Sequence, residues 1–170
     1  MTLVNQLINL VWTILAFLVF VLYWYANPNL IWLIAFLLIS TAGSMIPLRW
    51  YQLSTVSKFY ERLGVRLVRK FVQDGDFINT AIRKKSNTHR VIKDRRNYGS
   101  FLQTVNMYER YHIHCLIFFL LSTAHAAYHQ HYPTAFLMLV SNVIYNLCPI
   151  LLQQYNRLRI AKIAGRPYVP

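Results

Sequence analysis

Hydrophobic and charged residues are distributed unevenly along the chain. Lys, Arg, Asp and Glu are absent from Met1 to Leu48 and again from Tyr111 to Asn156, and both stretches are rich in aliphatic and aromatic residues. Because a helix of about 20 apolar residues crosses the hydrocarbon core of a bilayer, each stretch is long enough for two crossings. The pattern therefore predicts an all-α integral membrane protein with four transmembrane helices.

Turn residues interrupt each apolar stretch near its middle. Asn27-Pro28-Asn29 divides the first stretch, and His129-Gln130-His131-Tyr132-Pro133 divides the second. The residue before a proline is disfavoured in a helix, so these positions predict the tips of two helical hairpins. A single membrane domain, 1–170, then contains spans at 7–26, 30–47, 111–128 and 134–152, a central loop at 48–110 and a tail at 153–170.

The charged residues indicate the orientation of these spans. All 18 Lys and Arg residues lie in the loop or the tail, and all five Asp and Glu residues lie in the loop, so these two segments carry the whole net charge of +13. Basic residues favour the cytoplasmic side, so we expect a multi-pass cell-membrane protein with its loop and both termini in the cytoplasm. Nucleic-acid-binding domains do not carry two long uncharged stretches, so we expect no nucleic-acid partner. Cys115 and Cys148 lie within apolar spans, and their spacing predicts neither a disulfide nor a metal site.

The loop begins with an amphipathic pattern from Gln52 to Gln73, ended by Asp74-Gly75. This pattern predicts an interfacial helix that binds anionic membrane lipids, and the alternative is that some of its arginines bind a phosphorylated substrate. The apolar positions are Val56, Phe59, Tyr60, Leu63, Leu67 and Phe71, and the basic ones are Lys58, Arg62, Arg66, Arg69 and Lys70. A second basic cluster, 83–96, is either topogenic charge or a phosphate-binding patch.

Candidate chemistry lies where the third span begins. Glu109 and His112 are three residues apart and share a helix face at the predicted cytoplasmic boundary. A carboxylate that orients an imidazole is a usual general-base arrangement, although Glu109 is equally able to pair with Arg110 or a loop arginine. In the fourth span, Asn142 and Asn146 lie one turn apart, and intramembrane asparagines usually bond to neighbouring helices.

Three further histidines, His125, His129 and His131, lie at the predicted outer end. Their spacing resembles part of the histidine boxes of membrane di-iron desaturases and hydroxylases. Those sites use several boxes with adjacent pairs, whereas this chain has six histidines and no adjacent pair. We interpret these residues as interfacial histidines and predict no metal site.

Three blocks resemble the glycosyl-4,4'-diaponeurosporenoate acyltransferase family of carotenoid biosynthesis. They are Val65-Arg66 with Arg69 and Asp74-Gly75, then Glu109-x-x-His112, and then Asn146-x6-Gln153-x-Tyr155-Asn156-Arg157-x-Arg159. The similarity spans about residues 50 to 160. The chain departs from the family pattern at Val68 (Trp in the family), Gln154 (Arg) and Leu158 (Pro), and it has Thr104 and Met107 where the family has a carboxylate and an arginine.

The resemblance implies transfer of a fatty acyl group from a thioester such as acyl-CoA to a hydroxyl of a lipid or glycosylated carotenoid, without a metal or other cofactor. On this basis our hypothesis is that His112 is the base and Glu109 its orienting partner, with Asn156, Tyr155 or Arg157 as oxyanion donors. The expected substrate-binding residues are Asn146, Gln153, Tyr155, Asn156, Arg157, Arg159, Arg66, Arg69 and Asp74. The alternatives are a non-catalytic membrane subunit with protein partners and a metal-dependent lipid oxidase using the outer histidines.

Overall fold

The computed structural model describes residues 3–71 and 98–165, and within these ranges every regular element is a helix. The helices are α1 (Leu3–Ala26), α2 (Leu30–Met45), α3 (Ser57–Arg62), α4 (Val65–Phe71), α5 (Tyr98–Tyr128), α6 (Tyr132–Asn142) and α7 (Cys148–Ala164). A π-helical turn at Val143–Leu147 joins α6 and α7 into one continuous helix. Asp74 and the second basic cluster lie outside the described residues.

The connections between the long helices have local causes. Pro28 follows the end of α1, and the Asn29 side chain caps α2 by accepting a hydrogen bond from the Trp32 amide at 3.3 Å. This cap satisfies one of the backbone donors that the first turn of a helix leaves free. Between α5 and α6 the chain turns at Gln130, whose φ of 63° is left-handed. Left-handed residues end helices, so α5 stops before the turn.

Helix α5 lies at the centre of the structure, and α2, α6 and α7 pack against it. Helix α1 packs mainly against α6, and it meets α5 where the Phe20 and Phe119 rings stack at 3.6 Å. A second contact secures the end of α2, because Arg110 Nη1 donates to the Ser44 carbonyl at 2.7 Å. A cation near the last carbonyls of a helix satisfies groups that have no partner within it.

The predicted single amphipathic helix is wrong in one respect, because the structure divides it into α3 and α4. Gly64 separates the two helices with a φ of +79°, a conformation that costs other residues about 1–2 kcal/mol. Tyr60 and Val65 are fully buried, and they form one hydrophobic cluster with Leu152 and Leu158 of α7. The two short helices therefore bring part of the central loop against α7, at the level where the candidate residues lie.

One described helix, Tyr132–Lys162, is long and apolar enough to cross a membrane. The apolar runs Leu10–Ala26 and Leu30–Met45 are shorter. The apolar half of α5 contains His112, His114 and His125, and these histidines lower its hydropathy. A helical fold with one candidate span is therefore established.

Candidate active site

Glu109 is a fully buried carboxylate on α5. Its Oε1 accepts hydrogen bonds from Gln154 Nε2 and Arg157 Nη2, each at 3.1 Å, and both donors belong to α7. Arg157 also lies 3.1 Å from Oε2, and the side chains of Arg157 and Glu109 are 6% and 0% exposed. Burial raises the pKa of Glu109, whereas Arg157 and Gln154 act in the opposite direction. The pair is thus a buried link between α5 and α7.

Gln154 extends this link to the central loop. Its Nε2 also donates to the Tyr51 carbonyl at 2.8 Å, and its Oε1 accepts from the Leu53 amide at 3.3 Å and lies 3.0 Å from the Tyr60 hydroxyl. The Tyr60 hydroxyl accepts from Gln52 at 2.7 Å, and Gln52 Oε1 in turn accepts from Arg157. We call these five residues the Glu109 cluster: Glu109, Arg157, Gln154, Gln52 and Tyr60.

His112 has different partners. The ring is half-buried, and its Nδ1 lies 3.3 Å from Oδ1 of Asn146. Asn146 Nδ2 donates to Asn142 Oδ1 at 2.7 Å, and Asn142 Nδ2 donates to the Leu116 carbonyl at 3.1 Å. Glu109 and His112 share α5 as the sequence predicts, but their hydrogen bonds lead to separate groups of residues. In the structure, Asn146 and not Glu109 is therefore the side chain that bonds to His112.

The π-helical turn explains how the fourth apolar segment reaches His112. Pro149 has no amide hydrogen, so it cannot donate to the carbonyl of Tyr145 four residues earlier. The backbone widens here, and the Cys148 amide bonds to the Val143 carbonyl. The backbone of Tyr145 is a second polar neighbour of the His112 ring. Pro149 thus favours an irregular helical turn next to His112, the candidate base.

Three hydroxyl groups, including that of Tyr145, lie close together. The Tyr145 hydroxyl lies 2.9 Å from Thr13 Oγ1 and 3.3 Å from the Tyr111 hydroxyl. The Tyr145 ring is 5.6 Å from the His112 ring, centroid to centroid. Sequence reasoning missed Thr13, Tyr111 and Tyr145 because single hydroxyl residues in apolar helices carry no motif. The one sequence signal near Tyr145 is Pro149, four residues later.

Arg66 of α4 and Tyr155 of α7 meet at a second carboxylate, Glu61. Arg66 lies 2.9 Å from Glu61, and the Tyr155 hydroxyl donates to Glu61 at 3.0 Å. These contacts, led by the Tyr155 hydrogen bond, lower the pKa of Glu61. The Arg159 guanidinium lies 5.6 Å from the centre of the Tyr155 ring. The structure thus brings together three predicted substrate-binding residues: Arg66, Tyr155 and Arg159.

The other predicted residues are more scattered. Asn146 is fully buried, and both ends of its amide are engaged, by His112 and by Asn142. Arg157 and Tyr155 already donate to carboxylates, so their roles as oxyanion donors require other partners to be exchanged. Gln153, Asn156 and Arg69 are half-buried.

The histidines near the turn between α5 and α6 take part in an aromatic cluster. His125 Nδ1 lies 2.7 Å from the Tyr23 hydroxyl, and its ring stacks on Trp24 at 5.0 Å. The His125 and His129 rings are 4.5 Å apart. Within residues 3–71 and 98–165, no group of three or more His, Cys, Asp or Glu side chains is arranged to hold a metal ion.

These features define a helical protein in which α5 carries a half-buried histidine and is linked to α7 by a buried Glu–Arg pair, while Arg66 of α4 and Arg159 of α7 both contact groups around Tyr155 and Glu61. Residues 45–166 match the family model of glycosyl-4,4'-diaponeurosporenoate acyltransferase, which covers more than half of the chain. The chain therefore belongs to this family of acyltransferases of carotenoid biosynthesis, which confirms the resemblance. The matched segment includes every candidate residue from Arg66 to Arg159. No curated protein and no solved structure matches the chain.

Proposed function

We propose that the protein is a multi-pass cell-membrane O-acyltransferase. It moves a fatty acyl group from a thioester such as acyl-CoA to a hydroxyl of a lipid or glycosylated carotenoid. The observation that carries this proposal is the half-buried His112 ring, held by Asn146 within the segment that matches the acyltransferase family. A fixed imidazole at the edge of an apolar region suits the deprotonation of an alcohol.

In the proposed reaction, His112 removes the proton from the acceptor hydroxyl as its oxygen attacks the thioester carbonyl. The new carbon–oxygen bond produces a tetrahedral oxyanion, which hydrogen-bond donors stabilise by about 3 kcal/mol each. The intermediate collapses with cleavage of the carbon–sulfur bond, and the proton on His112 passes to the leaving thiolate. The products are an ester and a free thiol, and His112 returns to its neutral form.

Glu109 acts in this proposal by positioning helices, because its hydrogen bonds connect α5 to α7. The basic surface formed by Arg66, Arg69 and Arg159 is the proposed place for the phosphates of the thioester donor. Arg159 is exposed, the Arg66 side chain is 66% exposed, and Arg69 is half-buried on the same helix as Arg66. Gln153, Asn156 and Asp74 complete the proposed substrate-binding set.

The proposed topology retains four spans, with the loop and both termini in the cytoplasm. Support comes from the apolar side chains that α1 and α2 leave exposed, among them Leu15 at 59%, Val21 at 60% and Leu38 at 66%. Bands of exposed aliphatic residues mark surfaces that a lipid or another protein covers. The absence of charge from Met1 to Leu48 agrees with lipid contact.

The test is acyl transfer by membranes that contain His112→Ala, with His129→Ala as the matched control. His129 is exposed in the aromatic cluster near the turn between α5 and α6 and has no role in the proposed chemistry. Loss of a general base lowers the rate by about 10²–10⁴-fold, so we expect His112→Ala to lose nearly all activity. Full activity of His112→Ala contradicts its role as the base. Activity that appears only after a second protein is added supports the non-catalytic subunit instead.

A further inference from the structure

The hydrogen bonds that end at His112 begin at a backbone carbonyl. Asn142 donates to the Leu116 carbonyl at 3.1 Å and accepts from Asn146 at 2.7 Å, and Asn146 Oδ1 lies 3.3 Å from His112 Nδ1. Asn142 and Asn146 are 1% and 0% exposed. We call these three connected hydrogen bonds the asparagine relay.

The relay has a fixed direction. A backbone carbonyl has no hydrogen to donate, so Asn142 must direct its amide group toward Leu116. Its oxygen then faces Asn146, which must answer with its own amide group. The Asn146 oxygen is therefore left to face His112, and an oxygen acceptor requires a hydrogen on Nδ1 of the ring. The Leu116 carbonyl thus determines which ring nitrogen of His112 carries the hydrogen.

We propose that Asn142 and Asn146 are positioning residues that hold neutral His112 with its hydrogen on Nδ1. This arrangement leaves the lone pair on Nε2 to accept the proton of the acceptor hydroxyl. The inference rests on the proposed function, because the position of the lone pair matters only if His112 is the base.

The local fold supports this role. The π-helical turn at Val143–Leu147 directly follows Asn142 and contains Asn146, and π-helical turns are frequent at functional sites. The obvious alternative orienting group, Glu109, is already engaged by Gln154 and Arg157. An asparagine orients the histidine in some cysteine proteases, so a neutral amide is chemically sufficient for this purpose.

The direct test is a long-range hydrogen–nitrogen correlation NMR spectrum of 15N-histidine-labelled protein in lipid. Ring nitrogens with and without hydrogen have well-separated shifts, and their couplings to the carbon-bound ring hydrogens distinguish Nδ1 from Nε2. The difference from a His112→Gln sample assigns the His112 signals among the six histidines. We expect a protonated Nδ1 and a bare Nε2 in the wild-type protein. Protonation of Nε2, which bonding to the backbone of Tyr145 would favour, overturns the proposal.

Substitutions in the relay extend the test to catalysis. Asn146→Leu removes the acceptor, so we expect a mixture of the two ring forms and a fall in kcat of about 10²-fold with little change in KM. Asn142→Leu leaves the Asn146 amide free to rotate and should produce a smaller fall, whereas Asn146→Asp retains an acceptor and should retain the Nδ1 hydrogen. Ser141→Ala is the control, since Ser141 bonds to Ala16 and not to the relay.

The two proposals fail in different ways. If His112→Ala is inactive but Asn146→Leu keeps the wild-type ring form and kcat, the relay is wrong and the base assignment stands. If His112→Ala is fully active, the proposed base is wrong, whatever the spectrum shows. The wild-type spectrum decides the hydrogen position without any substitution, so a poorly folded variant does not prevent the test.

Discussion

Substitution of Arg157 with methionine should destabilise the protein, because the buried Glu109 then loses its counter-ion. Arg157 and Glu109 are 6% and 0% exposed, so loss of the guanidinium leaves a buried carboxylate with Gln154 as its remaining side-chain donor. Removing one partner of a buried pair costs about 3–5 kcal/mol, and we expect Arg157→Met to lose this much at neutral pH. The double variant Glu109→Gln, Arg157→Met has no uncompensated charge and should recover most of the loss.

The same variant should depend on pH in a defined direction. The folded-state pKa of Glu109 is already above its ordinary value of 4.5, and removal of Arg157 raises it further. A folded state that binds a proton more tightly than the unfolded state gains stability as the pH falls through the folded-state pKa, and the gain is complete below the unfolded-state pKa. The destabilisation of Arg157→Met should therefore shrink toward low pH, whereas that of the double variant should not.

Reversible unfolding in mixed detergent micelles, followed by far-ultraviolet circular dichroism, measures these differences. Each variant is compared with the wild-type protein at the same pH, which removes contributions common to both, such as that of Glu61. A double variant as unstable as Arg157→Met at neutral pH would refute the reasoning, because the buried carboxylate would then not be the source of the loss.

Three smaller predictions follow, each measured by the same unfolding assay. Tyr60→Phe removes a fully buried hydroxyl that bonds Gln52 and should cost about 1–3 kcal/mol, whereas Tyr25→Phe, at an 86% exposed position, should have no effect. Gly64→Ala places a side chain at a φ of +79° and should cost about 1–2 kcal/mol, so an unchanged stability contradicts the observed break between α3 and α4. Phe119→Ala should cost about 3–5 kcal/mol, whereas Leu120→Ala, at a 45% exposed position, should cost much less.

The two hairpin turns could be predicted from the sequence, because each depends on neighbouring residues. The apolar runs, together with Pro28 and Asn29, predict where α1 ends and where α2 begins. In contrast, α5 begins at Tyr98 and α7 ends at Ala164, outside the predicted spans 111–128 and 134–152. The break at Gly64 was not predicted, although a glycine was visible there, because the apolar spacing continues through it. A periodic pattern records which face is apolar and does not record a change in helix direction.

The partners of the candidate residues could not be predicted in the same way. Spacing places Glu109 and His112 on one face of α5, yet Glu109 bonds to residues 45 and 48 positions later in the chain. These contacts depend on how α7 packs against α5, which no local pattern encodes. The motif residue Arg157 was identified from the sequence, but its role as the counter-ion of Glu109 follows only from the packing.

The most direct test of the proposed function is the stoichiometry of a reaction with purified protein in lipid vesicles. The vesicles contain a glycosylated carotenoid, and a radiolabelled acyl-CoA is added from outside. We predict one free thiol for each new ester, with both products absent when His112 is replaced by alanine. Ester formation without thiol release would contradict a thioester donor, and equal product yields from wild-type and His112→Ala protein would contradict the proposed catalytic role of His112.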